Sequence, residues 1–215
     1  MRLLYDYFRS SSAYRVRIAL NLKNLTYEKI PVHLLKDGGE QFTLKYKTLN
    51  PQALVPTYVE DSIHDKAFTQ SLSIIELIEE LHPEPALLPK CYAARAWVRS
   101  FAQAVACDIQ PLNNLRVLKY LTEQFKINEE QKNTWYKHWI AEGFLALETM
   151  LNNHHADRGD FCHGNTPTIA DVCLIPQVYN AIRYKCDLNA YPNIMKIYTH
   201  CESLPAFMEA FPKES

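Results

Sequence analysis

The sequence has no apolar run approaching the ~18 residues that a bilayer-spanning helix needs, so no membrane span is expected. It has no excess of either charge: 23 Lys and Arg against 24 Asp and Glu leave a formal net charge of −1. That balance excludes the basic footprint of a nucleic-acid binder or of a protein held on an anionic lipid surface. It has no C-x-x-C pair; Cys91, Cys107, Cys162, Cys173, Cys186 and Cys201 are scattered, with no tight disulfide framework. Such thiols are expected as small hydrophobes in a reducing compartment. The opening Met1-Arg2-Leu3-Leu4-Tyr5-Asp6 turns polar too early for the apolar region of a signal peptide, and a cytoplasmic location is the expectation. Repeats and low-complexity tracts are also missing. What remains is an ordinary globular composition, 47% apolar and 22% charged over 215 residues, with room for one large domain or two small ones.

The first ~80 residues differ in texture from the rest. Leu3 to Tyr7 is a short apolar and aromatic run that predicts a strand. After Ser10-Ser11-Ser12, the residues Val16, Ile18, Ala19, Leu20 and Leu22 fit one broad helical face. Tyr27 to Leu34 predicts a second strand, and Lys36-Asp37-Gly38-Gly39 breaks the pattern with glycines that permit backbone angles other residues avoid. Leu49-Asn50-Pro51 reads as a turn. Val55 to Val59 and Lys66 to Thr69 read as a strand pair joined by a polar loop from Glu60 to Asp65. Helical spacing resumes at Ser71 and stops before Pro83 and Pro85. The order is β-α-β-(α)-β-β-α, the first two strands parallel and the last two added antiparallel. Residues 1–83 are thus expected as an α/β domain and residues 90–215 as an all-helical one.

Three places can carry chemistry. Ser10, Ser11 and Ser12 sit where a strand hands over to a helix, so backbone N–H groups and the positive end of the helix dipole converge on them. One serine suffices for an ordinary N-cap; Arg15 and Arg17, one turn in, add positive potential and bidentate donors for a carboxylate. No His/Asp partner makes any of these serines a nucleophile, so they read as donors. Val55-Pro56 is the second place: a cis bond there would leave the Val55 N–H and C=O facing outward for an extended peptide, and a trans proline at an edge strand is the alternative. Thr69-Gln70-Ser71 is the third, another helix N-terminus with amide and hydroxyl groups. Together the three suit a peptide-like ligand bearing carboxylates. His154, His155, Asp157, Cys162 and His163 meet no metal-ligand spacing and read as a polar loop, with no metal expected. Thr168 and Asp171 form a capping box before an apolar run, which concerns folding. Trp97, Trp135 and Trp139 lie on helical patterns and read as core.

The run Tyr7-Phe8-Arg9-Ser10-Ser11-Ser12-Ala13-Tyr14-Arg15-Val16-Arg17-Ile18-Ala19-Leu20 closely resembles the signature of zeta-class glutathione transferases, the maleylacetoacetate isomerase family. The likeness continues, in order, through Lys36-Asp37-Gly38-Gly39, Leu49-Asn50-Pro51, Val55-Pro56-Thr57, Gln70-Ser71, Ile109 to Leu115, Thr168 to Asp171, Pro176-Gln177-Val178 and Asn180 to Arg183. It implies a thioredoxin-like N-terminal domain, an all-α C-terminal domain, a homodimer, and glutathione as cofactor. By matching position it implies a glutathione site of Ser10, Ser11, Ser12, Ala13, Tyr14, Arg15, Gln41, Val55, Gln70, Ser71, Gln110, Asn114, Leu115 and Arg116. Ser10, then Ser11, is implied as the donor to the thiolate, and Arg15 and Arg183 as holders of substrate carboxylates. Ser12 stands where the family block usually has cysteine, and the Glu60–Lys66 loop is longer than usual. The implied activity is cis–trans isomerisation of maleylacetoacetate to fumarylacetoacetate in tyrosine and phenylalanine breakdown. Its competitors are a transferase or dehalogenase for small α-halo acids, a maleylpyruvate isomerase, and a non-catalytic module that binds a protein partner.

Overall fold

The computed structural model describes residues 1–63, 66–154 and 157–213. They form two compact units, residues 1–86 together with 204–215, and residues 87–203.

The first unit is built on one four-stranded sheet. β1 (Arg2–Asp6) pairs parallel with β2 (Glu28–Pro31), with Leu4 opposite Lys29. On its other side β1 pairs antiparallel with β3 (Thr57–Glu60), which pairs antiparallel with β4 (Ala67–Thr69). The parallel pair requires a crossover, and α1 (Ser11–Leu22) supplies it. α2 (Leu44–Leu49) and α3 (Ser71–Leu81) complete the expected order. Leu4, Val16, Ile18, Leu20, Tyr58, Ile74, Ile75 and Ile78 are all fully buried, so sheet and helices share one core.

Two sequence expectations shift here. Glu60 belongs to β3 rather than to the loop after it. It is buried, accepting from Arg2 Nε at 2.9 Å and from the Tyr58 hydroxyl at 2.7 Å, with His82 Nε2 at 3.3 Å. A charge without an alternating apolar neighbour pattern reads as loop, yet three partners satisfy it in the sheet. Of the long loop, Asp61–Ile63 forms a 3₁₀ turn, and His64 and Asp65 lie outside the described residues.

The second shift concerns the chain end. α9 (Pro205–Ala210) belongs to the first unit, not with the helical remainder that a boundary at residue 90 implies. Arg17 is the reason. Its guanidinium, 2% exposed, binds Asp6 at 2.6 Å, the Ala210 carbonyl at 2.9 Å and the Phe8 carbonyl at 3.1 Å. Asn21 adds a bond to the Ala206 carbonyl at 3.0 Å. Arg17 therefore cannot serve a ligand carboxylate, as its place in the serine–arginine run suggested; its donors close the fold. Burial pushes the Asp6 carboxyl pKa up, against the pull of Arg17 and Lys29.

The second unit comprises α4 (Tyr92–Gln103), α5 (Leu115–Gln124), α6 (Glu129–Asn153), α7 (Ile169–Arg183) and α8 (Pro192–Glu202). α7 is buried over most of its circumference, as a helix apolar on all sides should be. Its capping box closes as the sequence predicts: Asp171 accepts from the Thr168 N–H and hydroxyl, both at 2.8 Å, and also from the Cys162 N–H at 2.7 Å. α4 passes into a π-helical turn, Ala104–Ile109, and then a 3₁₀ turn, Gln110–Asn113. Gly143 on α6 packs against this segment, and a Cβ there would displace the Ile109 side chain. Among the described residues no helix is long and apolar enough to cross a membrane.

Candidate active site

In the first unit the serines take distinct positions. Ser10 is the N-cap of α1, with extended backbone (φ −73°, ψ 118°), and its Oγ accepts the Ala13 N–H at 3.2 Å. A capping hydroxyl uses a lone pair for this bond and keeps its own proton for donation. Ser11, buried, and Ser12, half-buried, begin the helix. The first turn of α1 carries no acidic residue, so nothing in its own sequence neutralises the dipole. Ala13 and Tyr14 are buried in the core of the first unit. The Ala13 N–H goes to Ser10 Oγ and the Tyr14 N–H to the Ser10 carbonyl, while the Tyr14 ring meets Phe211 edge-on and lies under Arg17.

Arg15 is 1% exposed, and its Nη1 donates to Ser71 Oγ at 3.3 Å. The cation thus lies behind the surface and joins α1, one turn in, to the first residue of α3. Gln70 caps α3 with φ +68° and ψ 114°, a conformation that a non-glycine residue adopts only under constraint. Its side chain donates to Gln52 Oε1 at 2.7 Å.

The Val55-Pro56 bond is cis. The turn leading to it is held from inside: the Tyr46 hydroxyl and Asn50 Nδ2 each donate to the Leu54 carbonyl at 2.7 Å, and Asn50 Oδ1 accepts the Gln52 N–H at 3.0 Å. Burial raises the Tyr46 pKa in spite of its bonds to Thr57 and Asn50, which keeps it a proton donor. Among the described residues nothing bonds the Val55 N–H or C=O. Gln41, 5% exposed, donates to the Leu34 carbonyl at 3.3 Å and leaves Oε1 buried with no partner among the described residues. Its carboxamide folds back over Gly39 (φ +110°), at a place where a Cβ would stand 2.6 Å from it.

The first unit therefore offers two helix N-termini bridged by a buried guanidinium and, with no partner among the described residues, the Val55 backbone beside β3 and the buried Gln41 Oε1. An extended peptide with a carboxylate matches these groups in polarity. The Tyr46–Asn50–Leu54 cluster was invisible in the sequence except for the turn signal Asn50-Pro51.

In the second unit, Gln110 opens the 3₁₀ turn, and Asn114 caps α5 by accepting the Arg116 N–H at 3.1 Å. Leu115 is half-buried and Arg116 exposed. Trp135 Nε1 donates to the Leu112 carbonyl at 2.9 Å, and Asn113 Nδ2 to the Tyr136 carbonyl at 3.1 Å, so α6 holds this turn. Arg183, in the last turn of α7, is exposed; its Nη1 lies 3.4 Å from Asn180 Oδ1 and its guanidinium 5.3 Å above the Tyr184 ring. His154 and His163 share a hydrogen bond of 2.7 Å and stack by Trp97, while His155 lies outside the described residues.

A family profile described as "Glutathione S-transferase, N-terminal domain" matches residues 4–86, and one described as "Glutathione S-transferase, C-terminal domain" matches residues 112–211. The class is thus that of the glutathione S-transferases: a thioredoxin-like unit of mixed sheet and helices, followed by a helical one. A probable maleylacetoacetate isomerase of Vibrio cholerae is 46% identical over 98% of this chain and 95% of its own. The holo structure of a maleylpyruvate isomerase, described as a bacterial zeta-class glutathione S-transferase, superposes with a TM-score of 0.92 at 43% identity, covering 98% of this chain and 96% of that one. A Methylobacterium extorquens maleylacetoacetate isomerase with bound malonate and glutathione superposes with a TM-score of 0.91 at 37% identity, with the same coverage of both chains. The chain belongs to the zeta-class glutathione transferase, or maleylacetoacetate isomerase, family.

Proposed function

We propose that the protein is a glutathione-dependent cis–trans isomerase converting maleylacetoacetate to fumarylacetoacetate, with glutathione regenerated at each turnover. The observation that carries this reading is the Arg15–Ser71 bond, which ties the capped N-terminus of α1 to that of α3 in one unit. The groups there suit glutathione: Val55 offers N–H and C=O to a cysteinyl backbone, Ser71 and the Gln70 turn suit a γ-glutamyl carboxylate, and Gln41 Oε1 awaits a donor.

Bound glutathione supplies a sulfur nucleophile whose reversible addition makes the cis double bond single and free to rotate. Ser10 donates its hydroxyl proton toward that sulfur while its lone pair stays on the Ala13 N–H. An ordinary thiol of pKa about 8.5 must be lowered by roughly two units to be mostly ionised at pH 7, which is about 2.7 kcal/mol. A hydrogen bond to a charged group contributes about 1.5–3 kcal/mol and a helix N-terminus about 0.3–1, so the range that Ser10 and the acid-free first turn of α1 supply together brackets this amount. Arg183 receives a substrate carboxylate and orients it. Arg15, buried, adds its charge from behind instead of touching the substrate. Gln110, Asn114, Leu115 and Arg116 complete the ligand contacts, on the strength of the family likeness. The same likeness supports a homodimer, and cysteines that form no disulfide accord with a cytoplasmic protein.

The test is turnover of maleylacetoacetate with and without glutathione. We expect isomerisation only with glutathione and no consumption of it; equal rates without it, or no glutathione binding at millimolar concentration, would overturn the reading. Maleylpyruvate is the second substrate to assay, because a maleylpyruvate isomerase superposes over 98% of this chain. The ratio of kcat/KM for the two substrates decides between them.

A further inference from the structure

Tyr136 of α6 is 3% exposed, and its ring lies flat on that of Tyr184, with centroids 3.5 Å apart and planes 8° from parallel. The Tyr184 ring in turn carries the guanidinium of Arg183 at 5.3 Å. Three side chains from two helices therefore form one stack, Tyr136–Tyr184–Arg183. Sequence patterning gives no sign of it, because Tyr136 and Tyr184 are 48 residues apart. Arg183 is exposed and ends its helix, and its one hydrogen bond among the described residues, to Asn180, is long at 3.4 Å. Left to itself, such a side chain samples many rotamers, and ordering it would cost binding affinity. A cation resting on an aromatic face is held by the ring's negative quadrupole, and the ring holds it in place only if the ring itself is fixed. Tyr136 fixes it. The start of α6 is closed by a reciprocal capping box between Asn128 and Gln131, both bonds at 2.9 Å. The Tyr136 carbonyl also accepts Asn113 Nδ2.

We propose that Tyr136 is a positioning residue for Arg183: by clamping Tyr184 it presents the guanidinium to the substrate carboxylate already ordered. The inference rests on the reading of Arg183 as the carboxylate ligand of the isomerase.

The experiment compares Tyr136→Leu, Tyr136→Phe, Arg183→Ala and Tyr136→Leu/Arg183→Ala in the full chain, with maleylacetoacetate and glutathione varied separately. Tyr136→Leu is expected to raise the KM for maleylacetoacetate five- to tenfold, with kcat and the KM for glutathione within twofold of the parent. Tyr136→Phe keeps the ring and should restore the parental KM. Adding Tyr136→Leu to Arg183→Ala should raise KM no further, because the clamp then has nothing to hold. Should Tyr136→Leu not fold, Tyr184→Leu breaks the same stack from a half-buried helix end and should give the same KM change. The clamp is overturned if Arg183→Ala raises KM and the ring-removing variants do not, or if the two effects multiply. An Arg183→Ala variant with unchanged KM overturns the role of Arg183 itself, and the clamp with it.

Discussion

The N-termini of α1 and α7 both open on a hydroxyl residue at the N-cap and are left in opposite states. At α7, Thr168 and Asp171 satisfy each other, Asp171 takes a third donor from Cys162, and the whole box is buried. At α1, Ser10 accepts one N–H at 3.2 Å, remains half-buried, and no carboxylate stands in the first turn. The first terminus is electrostatically closed and holds the chain; the second is capped on one side and leaves its dipole to an incoming anion. A cap is thus read as structural or functional from whether its own sequence brings the countercharge.

The largest effect expected from breaking that contrast is at α7. Asp171→Ala removes three hydrogen bonds from a fully buried box and should cost about 3 kcal/mol. Chemical denaturation would measure this; a loss under 1 kcal/mol would mean that the box is not a folding element. Next comes Ser10→Ala, which should lower turnover by one to two orders of magnitude, about 1.4–2.7 kcal/mol at the barrier. It should also raise the bound thiol's pKa, with only about 1 kcal/mol lost from stability as a missing cap. A pH–rate profile unmoved by this change would remove Ser10 from the role.

The smallest effect concerns a buried carboxylate that serves neither terminus. Burial pushes Glu60 upward, but Tyr58, His82 and Arg2 together outweigh it and leave its pKa below the ordinary value. A carboxylate with a depressed folded pKa contributes stability above its unfolded pKa of about 4.3, and that contribution is lost as pH falls through the lower folded value. Glu60→Gln should therefore cost about 1 kcal/mol at pH 7, shrinking toward zero below about pH 4. A constant difference across that range would refute the assignment.

Much of the first unit was legible residue by residue. The strand order follows from one helical crossover and one hairpin, and the cap at Ser10, the helix starting at Ser71 and the turn at Asn50-Pro51 all depend on near neighbours in the chain. Glu60 was misplaced because a charge buried in a strand is tolerated only when partners meet it, and two of them, Arg2 and His82, are distant in the chain. Arg17 was read as a ligand donor for the same reason: its true partners include Ala210, almost two hundred residues away. Tyr136 carried no signal at all, since a buried tyrosine on a helical pattern looks like any other core residue.

By itself the chain determined its periodicities, caps and turns, because these arise between residues a few positions apart, and with them the family to which it belongs. Only the folded structure decided which cations are already engaged, which backbone groups stay unpaired at Val55, and which ring lies beneath Arg183. Those properties depend on contacts between distant segments, and packing, not spacing along the chain, sets what each polar group finds within reach.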